Sequence, residues 1–278
     1  MKIALHQLFD CNLVNIYKWG EIMKQEIIDK IKQAVVEIGS IMINANHDAL
    51  DIENKSGNNN IVTKYDLLIQ EKLKKKILEL IPNASFIGEE NDFLDNVNSE
   101  YKFIVDPIDG TTNFSRDIKM SAISVAILKN EIPVVGICYN PFLNELYEAQ
   151  KGKGAYLNGQ AIHVSNKQLK DGIVLSGSAP YYDELRKESL EVQRKFASIA
   201  SDYRRFGSAV IEICDIASGK AEVYFELKLM PWDYAAASLI LEEAGGIIST
   251  INGEKIQYLK PTSIIASNGL EDYLEYLK

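Results

Sequence analysis

One turn constrains this chain more than any other feature. The apolar run 103–105 leads into residues 106–114, whose sequence is DPIDGTTNF. Because proline fixes its own φ and restricts the residue before it, Asp106 and Asp109 lie on a stiff turn where they can converge on one point. Gly110 lets a ligand approach the backbone closely, and the N–H groups after it can face an anion if a helix begins there.

Carboxylates beside an anion-binding turn repel a phosphate unless cations lie between the two. Mg²⁺ meets this need, since it binds a few carboxylates together with waters and phosphate oxygens. The net charge of −9 makes such local cations more necessary, because the overall field repels anionic substrates. The turn therefore predicts Mg²⁺ and a phosphate group side by side.

The rest of the chain predicts two halves of different architecture. Apolar residues at helical spacing over 27–42, and a second amphipathic segment from Thr63 to about Leu80, predict two helices separated by a polar loop over 51–60. Short β-like runs between turn residues predict an antiparallel meander over 121–157. Strands and helices then alternate: strands over 173–178, 221–225, 247–250 and 264–266, and helices over 190–200, 208–218 and 233–244.

We therefore expect three parts along the chain. Residues 1–22 form an N-terminal extension of unknown role, residues 23–160 an α+β metal-binding domain, and residues 161–278 an α/β domain that completes the substrate site. Ligands are expected between the two domains, since pockets form preferentially at such boundaries.

The composition of the chain limits which partners and which cellular compartment we expect. The sequence pI near 5.0 argues against broad nucleic-acid binding. The three cysteines are far apart, and Cys138 and Cys214 lie in apolar patterns typical of buried thiols in a reducing compartment. Because no apolar stretch approaches the roughly 20 residues of a membrane span and no signal peptide is evident, we expect a cytoplasmic protein without membrane contact.

Further carboxylates follow the same pattern as the turn, at the ends of predicted elements. Glu89 and Glu90 follow the apolar run 85–87, Glu226 ends another strand, and Asp233 stands in the first turn of an alanine-rich helix. Four or five such carboxylates can form a pocket for two or three divalent ions.

The ordered set of these motifs closely resembles the inositol monophosphatase family. The resemblance runs from about Lys24 to the C-terminus, through residues 88–90, 106–114 and 232–237. It implies a Mg²⁺-dependent, lithium-sensitive phosphatase of the superfamily that includes fructose-1,6-bisphosphatases and bisphosphate nucleotidases. The implied fold class combines α+β and α/β parts in a layered αβαβα sandwich, and the implied assembly is a homodimer.

The resemblance also implies roles for individual residues. The first metal would be held by Glu89, Asp106 and the Ile108 carbonyl, and the second by Asp106, Asp109 and Asp233. A metal-activated water, positioned by Glu89 and Thr111, would attack phosphorus without a histidine base. The other implied positions are Gly110 and Thr111 for the phosphate, Ala209, Glu226 and Ser178 for the substrate hydroxyls, and Lys55 and Asp66 near the metals.

Several of these residues have an equally ordinary structural interpretation. Thr63 and Asp66 match a helix capping box, so structure and function are equally favoured for Asp66. Asp233 suits the positive end of a helix whether or not it binds metal. Glu90 fits a loop or a site equally well, and Asn60 stands where the family often has an aspartate, which weakens a third metal site.

The leading hypothesis is a phosphomonoesterase whose partner is a small phosphorylated polyol, above all inositol 1-phosphate. Thr112 stands where bisphosphate nucleotidases usually have a lysine, which favours the inositol phosphatase branch. Fructose-1,6-bisphosphatase or dual activity is the alternative within enzymes. A regulatory or binding protein that keeps the same fold is the alternative of another class.

Overall fold

The computed structural model describes residues 23–56, 60–90, 92–94 and 99–277, so the predicted extension over 1–22 lies outside the described residues. The helices in the described ranges are α1 Gln25–Ile43, α2 Lys64–Leu80, α3 Thr111–Ser115, α4 Asp183–Ala197, α5 Ala209–Ala217 and α6 Pro231–Glu243, with 3₁₀ turns at Leu169–Asp171 and Tyr273–Leu277. The strands are β1 Glu53–Ser56, β2 Asn60–Val62, β3 Ser85–Gly88, β4 Asp92–Leu94, β5 Tyr101–Asp109, β6 Ala122–Lys129, β7 Ile132–Asn140, β8 Glu145–Gln150, β9 Ala155–Leu157, β10 Gln160–Ala161, β11 Ile173–Ser176, β12 Asp202–Arg204, β13 Val223–Leu229, β14 Ile247–Ser249 and β15 Thr262–Ser267.

Two large sheets organise these strands. The first has the order β10-β9-β8-β7-β6-β5-β3-β4 and is antiparallel except where β3 pairs with β5. The second has the order β12-β11-β13-β15-β14, with β11 parallel to both of its neighbours. The meander predicted over 121–157 is the β6-β7-β8-β9 part of the first sheet.

The side chains of each strand alternate between two buried faces, and this stacks the sheets and helices into layers. In β5, Phe103 and Val105 pack with α1 and α2, whereas Ile104 faces the core that contains α5 and α6. In β13, Tyr224 faces that same central core, while Phe225 packs on α4. Because successive side chains of a strand point to opposite faces, each sheet is covered on both sides. The order α1/α2, first sheet, α5/α6, second sheet, α4 is the predicted αβαβα sandwich.

The central core joins residues from both halves of the chain. Leu128 and Cys138 of the first sheet lie in one cluster with Ile213 and Leu239 of the central helices. The division of the chain at residue 160 stays a prediction. None of the described helices combines the length and apolar character that a bilayer crossing requires.

Three local predictions differ from the structure. The polar loop over 51–60 contains the antiparallel pair β1 and β2, which the sequence hides because its residues lack apolar alternation. Helix α4 begins at Asp183 instead of near residue 190, because its first turn is acidic and buries little apolar surface. Strand β12 is an additional edge strand of three mostly exposed residues, too short and polar to be recognised.

Candidate active site

The turn after β5 brings its two aspartates to one edge of the first sheet. Regular pairing with β6 is interrupted between Asp106 and Asp109, so the strand bends there. Gly110 follows with φ of 86°, and a Cβ at this position would lie 3.0 Å from the Met120 carbonyl oxygen. A side chain is therefore excluded where α3 begins, and Gly110 and Thr111 are both only partly buried.

Asp233 joins the two aspartates of the turn. It lies in the first turn of α6, where its Oδ2 accepts a hydrogen bond of 2.7 Å from the Met230 backbone N–H. One carboxylate oxygen each of Asp106, Asp109 and Asp233 lies within 4.8 Å of the others, a spacing that can hold a metal ion. The resemblance placed these residues around the second metal, and the structure brings them together across 127 residues of sequence (233 − 106).

The electrostatics of this trio fit a divalent cation. Burial, followed by the charges of neighbouring carboxylates, raises the pKa of Asp106 and of Asp233 well above the usual range. Burial raises the pKa of Asp109 to about 7, although hydrogen bonds from Ser208 and Val210 oppose the shift. Buried carboxylates that lack a cation hold protons in this way. A hard ion that prefers oxygen ligands offsets both the cost of burying their charges and the repulsion between those charges.

Asp109 is fixed by the start of α5. The Ser208 hydroxyl and the Val210 backbone N–H, the latter at 2.9 Å, both donate to Asp109 Oδ2. The same hydroxyl accepts a hydrogen bond from the Ile211 N–H and so caps α5. The sequence gives no functional signal for Ser208 beyond a serine at the start of a predicted helix.

Ser208→Ala is expected to cost about 1 kcal/mol of stability, because it removes the cap of α5, and to lower turnover several-fold, because Asp109 loses a donor. Ser208→Thr keeps the hydroxyl and is expected to retain both properties. Urea unfolding and phosphate release measure the two effects. Equal losses in the alanine and threonine variants would show that the hydroxyl has no such role.

Glu89 lies between the trio and a lysine. Its charge raises the pKa of Asp106, second only to burial, and its Oε1 accepts a hydrogen bond of 2.8 Å from Lys55 Nζ. Lys55 also pairs with Glu90, whose side chain is 2% exposed. Burial lowers the pKa of Lys55, but the two ion pairs outweigh it and raise that pKa above its ordinary value. Lys55 and Glu89 thus meet at the site, as the resemblance implies, while Glu90 is drawn away from solvent.

Asp66 makes contacts that fit both of the interpretations that the sequence left open. Its Oδ2 accepts the Thr63 backbone N–H at 2.8 Å and the Thr63 hydroxyl, which completes the capping box of α2. Its Oδ1 lies 3.1 Å from the Thr111 hydroxyl, which is also 3.0 Å from the Ile108 carbonyl oxygen. Burial raises the pKa of Asp66 to about 6. One aspartate therefore starts a helix and orients Thr111.

The second sheet supplies Glu226 on the other side of the turn. Its Oε1 accepts the Ala179 backbone N–H at 2.9 Å, and its Oε2 accepts the Tyr224 hydroxyl at 2.8 Å. Burial raises the pKa of Glu226, while these donors and Arg205 oppose the shift. Ser178 lies half-buried next to Ala179, and Ala209 is the buried first residue of α5.

Mg²⁺ is expected to stabilise the protein more at about pH 8 than at about pH 5. The trio binds protons more tightly in the folded chain than in the unfolded chain, where the ordinary pKa is 3.8. The metal-free fold therefore loses stability as pH rises from about 4 through about 7, and Mg²⁺ binding displaces those protons. Thermal unfolding with chelator and with Mg²⁺ across this range tests the expectation, and a pH-independent effect of Mg²⁺ would contradict it.

Comparisons with known proteins match the whole described region. The sequence model of the inositol monophosphatase family matches residues 23–277. An inositol-1-monophosphatase of Bacillus subtilis is 33% identical over 245 residues, 87% of this chain and 92% of that protein. The Nus factor SuhB of Escherichia coli K12 is 32% identical over 222 residues, 80% of this chain and 82% of that protein.

A solved structure agrees with the sequence comparisons. The extragenic suppressor protein suhB of Bartonella henselae superposes with a TM-score of 0.86 and 29% identity over 91% of this chain and 98% of that chain. The superposition of the two structures extends over both sheets, because only a small part of either chain is left unmatched. Together with the family match over residues 23–277, this shows that the chain belongs to the inositol monophosphatase family.

Proposed function

We propose that this phosphatase is a Mg²⁺-dependent phosphomonoesterase that hydrolyses a small sugar or cyclitol phosphate, above all inositol 1-phosphate. The convergence of Asp106, Asp109 and Asp233 beside the turn at Gly110 carries the proposal. This arrangement sets a cation site next to a place where a phosphate can reach main-chain N–H groups.

The metal would be held by the residues that the resemblance implies: Glu89, Asp106, the Ile108 carbonyl, Asp109 and Asp233. When bound, Mg²⁺ supplies charge that lowers the pKa of a water nucleophile and stabilises the leaving oxygen. Two or three ions per site remain the expectation.

Thr111 and Glu89 position the reacting groups. The Thr111 hydroxyl has two acceptors within reach, Asp66 Oδ1 at 3.1 Å and the Ile108 carbonyl oxygen at 3.0 Å. Its proton is therefore directed into the protein, and an oxygen lone pair is left to accept a hydrogen bond from a water. Lys55 holds the Glu89 carboxylate in place through a hydrogen bond to Oε1, and that carboxylate can accept the water's other hydrogen.

The organic part of the substrate would face Glu226 and Ala209, with Ser178 beside them. Glu226 carries an acceptor that a cyclitol or sugar hydroxyl can use, since each of its oxygens has room for more than one donor. Fructose 1,6-bisphosphate offers hydroxyls of the same kind and is the alternative substrate. A homodimer located in the cytoplasm remains part of the proposal.

A regulatory role of the same fold is the second candidate. It is favoured by one observation, namely that relatives 32% to 34% identical to this chain carry the name Nus factor SuhB. The carboxylate trio is present here, which supports catalysis whether or not a second role exists.

Phosphate release decides between these functions. Inositol 1-phosphate, fructose 1,6-bisphosphate and 3′-phosphoadenosine 5′-phosphate are offered separately, with Mg²⁺ titrated and lithium added. Mg²⁺-dependent release from inositol 1-phosphate supports the proposal. Preferential release from another of these substrates would assign the chain to another branch of the phosphatase superfamily. Folded protein that binds Mg²⁺ but releases no phosphate from any of them would favour the regulatory function.

A further inference from the structure

The loop over 177–182, which follows β11, is anchored to Glu226. A Cβ at Gly177 would overlap the Glu226 carboxylate, so only glycine fits there. The Gly177 carbonyl oxygen accepts a hydrogen bond of 3.0 Å from Gln193 Nε2 of α4. Ala179 donates its N–H to Glu226 and adopts a φ of 44°, a left-handed conformation that costs energy in a residue other than glycine. The loop is therefore held in one conformation against the proposed substrate side of the site.

Tyr181 stands in this anchored loop, two residues after Ala179, whose N–H bonds to Glu226. Its side chain is 50% exposed, so the ring is open to solvent on one side. Burial, and then the charges of Glu89, Asp233, Asp109 and Glu226, raise the pKa of Tyr181 to about 12. The phenol thus lies near carboxylates contributed by both sheets and stays protonated at neutral pH.

The neighbouring Tyr182, in the same loop, is already held by contacts within the protein. Lys228 Nζ lies 3.8 Å from the centre of its ring, and its backbone N–H donates to the Ala179 carbonyl oxygen at 3.0 Å. The Tyr181 hydroxyl, in contrast, makes no hydrogen bond to any residue that the structure describes. A half-exposed tyrosine with a free hydroxyl beside a site is able to give that hydroxyl to a ligand.

We propose that Tyr181 determines specificity by hydrogen-bonding, through its phenol hydroxyl, to a hydroxyl group on the organic part of the substrate. The inference rests on the proposed function. Tyr181 supplies a donor from the same loop that binds the acceptor Glu226, and a donor together with an acceptor is the pair that a vicinal diol or polyol satisfies. An apolar organic group would use neither the Tyr181 hydroxyl nor the remaining lone pairs of Glu226. The substrate class that this pair selects is therefore a phosphorylated polyol.

Tyr181→Phe tests the hydroxyl without removing the ring. We expect KM for inositol 1-phosphate to rise about fivefold, the effect of one neutral hydrogen bond, with little change in kcat. For p-nitrophenyl phosphate, whose leaving group carries no further hydroxyl, we expect no change. Tyr156→Phe is the matched control, because that tyrosine is partly exposed and its hydroxyl bonds to Lys153, away from the site. Equal changes on both substrates, or none on inositol 1-phosphate, would overturn the inference.

A binding measurement separates this inference from the proposed function. Inositol 1-phosphate and inorganic phosphate are titrated calorimetrically into the wild-type protein and Tyr181→Phe, with Ca²⁺ in place of Mg²⁺. We expect the variant to bind inositol 1-phosphate about fivefold more weakly and inorganic phosphate equally well. If the wild type releases no phosphate from any ester, the proposed function fails, and this titration still decides the role of Tyr181. Equal Kd changes for both ligands, or no binding of inositol 1-phosphate to the wild type, would overturn it.

Discussion

Asp109→Asn is expected to lower Mg²⁺-dependent kcat/KM by roughly a thousandfold, the scale of losing several kcal/mol of metal-derived stabilisation. Asp109 contributes one of three carboxylates whose oxygens lie within 4.8 Å of each other. An amide has nearly the same shape, and its oxygen can still accept from the Val210 N–H, but it removes a negative charge from the metal site. Phosphate release at saturating Mg²⁺ measures the loss.

The same substitution is expected to leave the metal-free fold at least as stable as the wild type. Burial raises the pKa of Asp109 to about 7, so the charged carboxylate is costly at neutral pH when no cation is bound. Asparagine removes this cost and the repulsion toward Asp106 and Asp233. Thermal unfolding with chelator should therefore show an equal or higher midpoint, while the increase that Mg²⁺ produces in the wild type is lost.

Asp215→Asn is the matched control for Asp109→Asn. Asp215 is also a buried aspartate, but it pairs with Lys220 at 2.9 Å, and burial raises its pKa against that ion pair. Its replacement is expected to lower stability and to leave turnover per folded molecule unchanged. Near-wild-type turnover in Asp109→Asn would refute the metal assignment. Equal loss of turnover in both variants would show that any buried charge change disturbs the site.

The parts of this molecule that sequence could predict have contiguous signals. The turn over 106–114 contains its one proline and both carboxylates within nine residues, so its geometry follows from local sterics. The continuous apolar run 103–105 predicts a strand, and the layered fold contains that strand as part of β5, covered on both faces. Family resemblance then supplied the order of the layers, which no local pattern contains.

Contacts between residues far apart in the chain could not be predicted from local sequence patterns, for a physical reason. Ser208 meets Asp109 across 99 residues, and Lys55, which only the resemblance placed near the metals, meets Glu89 across 34. Neither residue stands in a periodic pattern, and a serine or a loop lysine is common on any surface. Tyr181 is a further case, since its role depends on where the Glu226 carboxylate anchors its loop. Such positions become recognisable only when the chain has brought both partners together.

Gly136→Ala is expected to destabilise the protein by about 3 kcal/mol, at the upper end of overpacking effects. Gly136 lies in β7, where a Cβ would stand 2.5 Å from the backbone oxygen of Ala236 in α6. A backbone oxygen within a helix cannot rotate away, so α6 must move as a unit. Because Asp233 lies one turn earlier on that helix, turnover should fall together with stability. Urea unfolding and phosphate release on the same preparation measure both.

Gly39→Ala distinguishes this effect from the general cost of adding a methyl group to a buried glycine. A Cβ at Gly39 would stand 2.8 Å from the Tyr139 ring, a side chain that can shift by a few tenths of an ångström. Alanine also favours helix α1 by up to about 1 kcal/mol, which offsets part of the contact. We therefore expect a small change in stability and unchanged turnover. If Gly136→Ala behaves like Gly39→Ala in both measurements, the close approach of β7 and α6 does not position Asp233, and the metal site depends on the β5 turn alone.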